Sequence, residues 1–227
     1  MNDAELIAEL ESEFQIEGGF HLAEMASRLP FDRILDVGFG RGAAARFFRL
    51  KGKNVVAIDR DIQYRAAPLD IMKAEGIEVI ETSFEDYQPD GGIDAIWLSH
   101  VLEHTLDVGR FLEKARSILS DSGWLFVMVP PFKHEVVGGH VTPGWNLGIL
   151  MYVLLVSGFD IKTGHFVRHG YSICAFVRKS TTPLPQLCHD QGDIERTRDL
   201  WPLEVMQGFD GNLPSVNWFD DADEVDS

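Results

Sequence analysis

Through the middle of this chain the apolar residues fall in short unbroken blocks rather than in alternation. The blocks at 34–37, 54–58, 77–80, 93–98 and 124–129 are strand-length and nearly free of charge, as expected of strands buried on both faces. Between them the period becomes helical. Phe111, Leu112, Ala115, Ile118 and Leu119 share one face of a helix over 108–119. Further helices are predicted over 42–51, ended by Gly52, and 68–75, opened by Pro68 and ended by Gly76. Strands alternating with helices indicate a parallel sheet covered on both faces. After 130–145, an irregular stretch rich in Gly, Pro and His, a strongly apolar helix runs to about Val156. The strand-like segments 159–166 and 170–178 then follow with only a short turn between them, so they must be antiparallel. The prediction is a doubly wound α/β fold with a seven-stranded mixed sheet, five parallel strands plus a C-terminal antiparallel hairpin.

The ends of the chain differ from its middle. Leu6, Ile7, Leu10 and Phe14 recur at helical spacing over 4–15, Gly18-Gly19 interrupts, and a second short helix is expected over 21–28. These two helices would cap a ligand pocket or pad the sheet edge. From Ser180 the chain turns acidic and Pro-interrupted, ending in Asp220-Asp221-Ala222-Asp223-Glu224, and reads as a loosely ordered tail. Trp201, Phe209, Trp218 and Phe219 are too apolar for a purely solvated tail and point to packing on the domain or on a partner. Three regions result: N-terminal helices over 1–30, a domain over 31–179 and an acidic, partly ordered tail over 180–227.

Composition narrows the function. A formal charge of −16 argues against nucleic-acid binding, which is built from Lys and Arg. Cys174 and Cys188 have no metal-type spacing and make no disulfide framework, so a reduced, cytoplasmic protein is expected. The longest apolar run, 147–156, is too short to span a bilayer, so no membrane partner is expected. A homo-oligomer stays open.

The chemistry gathers at the ends of the strands. Asp36-Val37-Gly38-Phe39-Gly40-Arg41-Gly42 leaves the first strand as a glycine-rich turn opening a helix, a cradle for a nucleotide-type ligand. Asp59 ends the second strand, Ser83-Phe84-Glu85-Asp86 follows the third, and Ser99-His100-Val101-Leu102-Glu103-His104 follows the fourth. This order of motifs resembles the class I S-adenosylmethionine-dependent methyltransferases over roughly 31–179, and with it their Rossmann-like fold. The resemblance implies S-adenosylmethionine as cofactor. Gly38, Phe39, Gly40 and Gly42 would lie along its methionine part, with Asp36 holding the loop and the amino group. Asp59, with Arg60 beside it, would take the ribose hydroxyls. Ser83 and Phe84 align with the adenine-reading pair, although the family usually has an acidic residue where this chain has Ser83. Ser99 and His100 would flank the methionyl part.

Other readings compete. Gly38-x-Gly40-x-x-Ala43 also satisfies the looser dinucleotide fingerprint of an NAD-dependent oxidoreductase, but that class predicts neither the Leu102-Glu103-His104 segment nor the terminal hairpin. His100-x-x-Glu103-His104 matches an inverted zinc-peptidase pattern, yet it sits at a strand end, not on a long helix. Pro130-Pro131-Phe132 resembles the motif of base-flipping amine methyltransferases but follows the wrong strand. A non-catalytic cofactor-binding or regulatory protein is a further alternative.

For catalysis, a hydroxyl acceptor needs a base, and histidine is the natural one near neutral pH. His104 and His140 are the catalytic candidates, with His100 and His134 nearby in sequence; His104 as a packed support and His140 as a trim of the helix entrance at Thr142-Pro143 are the competing roles. In some methyltransferases of this fold a Glu-x-x-Glu-His segment binds a divalent metal. Here His100 stands in place of the first Glu, and the expectation is no metal. The sequence thus predicts methyl transfer to a small-molecule or sugar-like acceptor, at a hydroxyl.

Overall fold

The computed structural model describes residues 3–14, 16–63 and 67–219, with side chains from Glu5 onward. The acidic end over 220–224 and Gln15, the expected end of the first helix, lie outside the described residues.

Two helices, α1 (Asp3–Glu13) and α2 (Gly19–Ser27), precede an alternation of strands and helices. It runs β1 (Arg33–Val37), α3 (Ala43–Leu50), β2 (Asn54–Asp59), α4 (Leu69–Ala74), β3 (Glu78–Glu81), β4 (Ile93–Ser99), α5 (Val108–Ile118) and β5 (Leu119–Val129). Then come α6 (Leu147–Val156), the hairpin β6 (Phe159–His169) and β7 (Ser172–Lys179), a short α7 (Asp193–Thr197) and β8 (Ser215–Val216). The strands form one sheet in the order β3-β2-β1-β4-β5-β7-β6-β8. The first five pair in parallel and the last three are antiparallel.

Successive side chains of a strand point to opposite faces, and here both faces are covered. Leu35, Val37 and Ile58 join the core beneath α5 and α6, whereas Ile34, Val55 and Ala57 join Phe47 and Phe48 of α3 beneath the N-terminal helices. That is why the strands carry no polar alternation. The chain runs from β1 outward to β2 and β3, then returns to lay β4 on the other side of β1. This reversal opens a crevice at the C-terminal ends of β1 and β4, where open α/β sheets bind ligands.

Three expectations are corrected. The sheet has eight strands, not seven, because Ser215–Val216 adds to β6. Behind that strand, Trp218 packs on Phe176 at 5.1 Å and Phe219 stacks on His165 at 4.1 Å. Trp201 is buried too, so the tail aromatics fold back on the domain. Ser120-Asp121-Ser122-Gly123 is no turn but the start of β5, which begins directly after α5 and bulges against β4. Finally, α6 does not begin at Thr142-Pro143. Asn146 caps it by accepting the Ile149 N–H at 2.8 Å, so His140 stands apart from the helix entrance.

Candidate active site

A cavity of about 620 Å³ occupies the crevice. Its floor is the stretch from Asp36 to Arg41. Gly38, Gly40 and Gly42 all have positive φ (68°, 56° and 82°), a backbone that L side chains rarely adopt. Gly38 and Gly40 line the cavity. Gly42 does not: it caps α3, and a Cβ there would lie 2.6 Å from Met72 Sδ, so it is glycine for packing. Asp59 ties the loop to β2, its Oδ2 accepting the Gly40 N–H at 3.3 Å.

Asp36 is buried among apolar side chains, and its Oδ2 finds no hydrogen-bond partner among the described residues. Burial pushes its carboxyl up to about 7, the Asp59 charge adds to the effect, and a backbone hydrogen bond from Ala45 opposes it. An unmatched buried carboxylate on a cavity floor suits a cationic ligand group.

Arg60 lines the rim, its guanidinium on Glu85 at 2.8 Å. Phe84 also lines the cavity, its ring 4.3 Å from that of Phe111. Ser83 is not in the lining. Its hydroxyl donates to the Asp86 carboxylate at 2.7 Å and accepts the Asp86 N–H, which closes a local turn, and Thr82 faces the cavity instead.

Ser99 and His100 line the wall at the end of β4. His100 has φ +56°, a strain of about 1–3 kcal/mol for a non-glycine residue. Both its ring nitrogens are engaged: Nδ1 lies 3.0 Å from Glu103 Oε1 and Nε2 3.1 Å from the Ser172 hydroxyl. His104 follows on the 3-10 turn Leu102–His104 and faces the cavity. Its Nδ1 lies 2.8 Å from the Gly139 carbonyl oxygen, which can only accept, so Nδ1 carries the proton and Nε2 keeps a lone pair. His140 lies behind, its ring 5.1 Å from that of His104 and outside the cavity lining. Of the two catalytic candidates, His104 alone reaches the cavity.

Glu103, His104 and His140 each offer a ligand atom, all within 4.8 Å of one another. Glu103 is fully buried, with Oε2 unpartnered among the described residues. The group has the types of donor atom that a divalent cation takes. The lining also takes Phe14 and Ile16 from the N-terminal segment, whose helices were expected to cap a ligand pocket or pad the sheet edge, Gly138 and Gly139 from the irregular 130–145 stretch, and Val101 and Thr105, which sequence reading did not single out as site residues. Of the two glycines, Gly139 has φ +84° and a Cβ there would lie 3.3 Å from His104 Nδ1, whereas Gly138 stands in open space.

A family model described as "Methyltransferase domain" matches residues 12–162, well over half of the chain. The chain belongs to the methyltransferase-domain family. Its fold and motifs make it a class I S-adenosylmethionine-dependent member, and the dinucleotide and zinc-peptidase readings fall away. Among curated relatives of this methyltransferase, the glycine/sarcosine/dimethylglycine N-methyltransferase of Actinopolyspora halophila is 36% identical over 101 residues, 41% of this chain and 18% of that protein. The ubiquinone biosynthesis O-methyltransferase of Bradyrhizobium sp. (strain ORS 278) is 32% identical over 120 residues, 50% of this chain and 47% of that protein. The chain thus spans at most about half the length of these relatives. In fold it is similar to the 1,6-didemethyltoxoflavin-N1-methyltransferase of Burkholderia thailandensis, solved with S-adenosylhomocysteine (TM-score 0.60, 16% identity, 78% of this chain and 87% of that one). No helix among the described residues is long and apolar enough to cross a membrane.

The residues present fit S-adenosylmethionine. The orphaned Asp36 carboxylate oxygen suits its ammonium group, the bare backbone of Gly38 and Gly40 permits close approach, and Asp59 presents acceptors suited to a vicinal diol.

Proposed function

We propose that this methyltransferase acts in the cytoplasm on a small-molecule acceptor, at a hydroxyl. The observation that carries the reading is the contact of His104 Nδ1 with the Gly139 carbonyl oxygen at 2.8 Å, which holds the ring at the cavity and leaves Nε2 of the neutral imidazole to accept a proton.

S-Adenosylmethionine, when bound, supplies an activated methyl group on a sulfonium. The chain's own work is then placement and proton removal. Asp36, Gly38, Gly40, Asp59 and Phe84 hold the donor, and positioning of this kind can contribute on the order of 7–11 kcal/mol to lowering the barrier. His104 Nε2 accepts the proton that an acceptor hydroxyl must lose, a role worth roughly a hundred- to ten-thousandfold in rate. Phe14 and Ile16 bring an apolar surface from the N-terminal segment to the cavity lining, so that segment shapes the site as well as covering the sheet. The strongly acidic composition disfavours nucleic acid as acceptor.

Screening hydroxyl- and amine-bearing small molecules for labelled methyl transfer tests this. Transfer to a hydroxyl, abolished by His104→Ala and retained by His140→Ala, supports the reading; transfer only to amines, or full transfer without His104, overturns it.

The grouping of Glu103, His104 and His140 favours one second reading, in which a divalent cation there polarises the acceptor hydroxyl. Activity that survives exhaustive chelation excludes it; activity lost and restored by magnesium, manganese or zinc favours it.

A further inference from the structure

Glu103 has no part in the proton removal just described, yet it is a fully buried carboxylate placed directly behind the cavity wall. Burying such a group is costly unless something answers it. Its Oε1 meets His100 Nδ1 at 3.0 Å, and its Oε2 has no partner among the described residues. A carboxylate can only accept, so His100 Nδ1 donates. The Ser172 hydroxyl, free to rotate, then donates to Nε2 across 3.1 Å, and Ser172 is itself buried at the start of β7. The ring of Tyr171 stacks alongside the imidazole at 5.8 Å. His100 is therefore capped at both nitrogens and cannot serve as a base. What it presents to the cavity is an imidazole whose N–H leans on a carboxylate, and such a ring is electron-rich.

The place of this ring in the cavity gives it a purpose. Val101, the next residue, packs against the glycine loop, where a Cβ on Gly38 would come within 3.2 Å of its Cγ2. His100 and Val101 thus border the loop assigned to the methionyl part of the donor. The left-handed backbone at His100 makes this turn, and the chain of hydrogen bonds to Glu103 and Ser172 holds it.

We propose that Glu103, acting through His100, is a fixed negative charge behind the donor wall that favours the sulfonium of S-adenosylmethionine over the uncharged thioether of the spent product. This rests on the methyl-transfer reading. The two ligands share the adenosine, ammonium and carboxylate groups and differ only in the transferred methyl and its positive charge. A buried charge therefore separates them, while the shape of the site treats them nearly alike. Glu103 is a positioning residue here, not a catalytic one, and its effect is to strengthen binding of the charged donor relative to the spent product.

Calorimetric titration of S-adenosylmethionine and of S-adenosylhomocysteine in chelator-treated buffer tests this without any acceptor. Glu103→Gln keeps an oxygen for His100 Nδ1 but removes the charge. It is expected to lower the ratio of sulfonium to thioether affinity by roughly five- to tenfold, the size of one charge acting across a partly desolvated wall. Glu103→Asp keeps the charge and is expected to keep the ratio near that of the unmodified chain. Should the Gln variant fail to fold, Glu103→Met, uncharged and of similar volume, carries the same expectation. An unchanged ratio in Glu103→Gln, or a ratio in Glu103→Asp as low as in Glu103→Gln, would overturn the proposal while leaving the methyl-transfer reading intact. An unmodified chain that binds neither ligand would overturn both.

Discussion

On the donor side of the cavity Asp36, Asp59 and Ser99 stand at the ends of strands paired on both sides, since β1, β2 and β4 are interior to the sheet. On the acceptor side, His104 and Gly139 meet through one hydrogen bond between a 3-10 turn and a long loop. A second bond, from the Val141 N–H to the Glu103 carbonyl at 2.8 Å, joins the same two segments. The donor wall is set by the ladder and cannot shift without breaking it. The acceptor wall is set by a few local contacts, with Val136 and Gly139 exposed to solvent. One chain thus fixes what it binds as donor and leaves the other partner to loop sequence, the usual division of labour between scaffold and loop.

The largest expected effect lies on the acceptor side alone. His104→Ala should slow transfer roughly a hundred- to ten-thousandfold with S-adenosylhomocysteine affinity unchanged by calorimetry. A parallel loss of affinity would mean that the two walls are not separable.

On the donor side the largest effect is electrostatic. Asp36 holds its proton up to about pH 7 in the folded chain, against an ordinary value of 3.8. The folded state therefore binds this proton more tightly than the unfolded state does. The contribution is fully present below the ordinary value and is lost as pH rises through about 7, a swing on the order of 4 kcal/mol at most. Thermal melts of the ligand-free chain between about pH 5 and 8.5 should show stability falling relative to Asp36→Asn. Parallel curves would contradict this placement of Asp36. By the same linkage, a ligand whose ammonium group meets Asp36 should bind more tightly as pH rises through that range.

Asp59→Ala comes next. Charge-assisted hydrogen bonds are worth about 1.5–3 kcal/mol each, so losing them should weaken S-adenosylhomocysteine binding on the order of a hundredfold. The variant also frees the Gly40 N–H, and a small effect on affinity would show that Asp59 serves only the loop.

The smallest effect probes the acceptor wall's own rigidity. Gly144 has φ +91°, and a Cβ there would lie 2.3 Å from the Pro131 carbonyl oxygen. Gly144→Ala should destabilise that segment by about 1–3 kcal/mol. Faster amide exchange confined to 130–145, with the donor site still binding, is the expected pattern; a collapse of donor binding would join the two walls.

The same division explains what could be read from sequence. Blocks such as Ile34-Leu35 and Val55-Val56-Ala57-Ile58 announce buried strands, and Asp36, the glycines and Asp59 sit at fixed offsets from strand ends. The donor side was therefore legible nearly residue by residue. Ser83 and Gly42 were the exceptions: the Ser83 hydroxyl closes a local turn with Asp86 while Thr82 takes the inward position, and Gly42 packs on Met72 instead of lining the cavity. The acceptor side depends on how an irregular segment folds back, which no periodicity encodes. Thr142-Pro143 carries the signature of a helix start, yet Asn146 wins because the apolar run begins immediately after it. Likewise, the meeting of His104 with Gly139, 35 residues away in sequence, and with His140 joins segments that no local pattern links. The strand Ser215–Val216 was hidden for a similar reason, since two residues carry no alternation of their own and pair only because β6 offers an edge.

The central claim is that the crevice at the ends of β1, β2 and β4 holds a sulfonium methyl donor. Its most direct test is a calorimetric titration of S-adenosylhomocysteine into the chain, with NAD titrated in parallel. Saturable binding of S-adenosylhomocysteine at one site per chain, weakened on the order of a hundredfold in Asp59→Ala, with no heat from NAD, is the predicted result. Binding of NAD, or no saturable binding of S-adenosylhomocysteine, would contradict it.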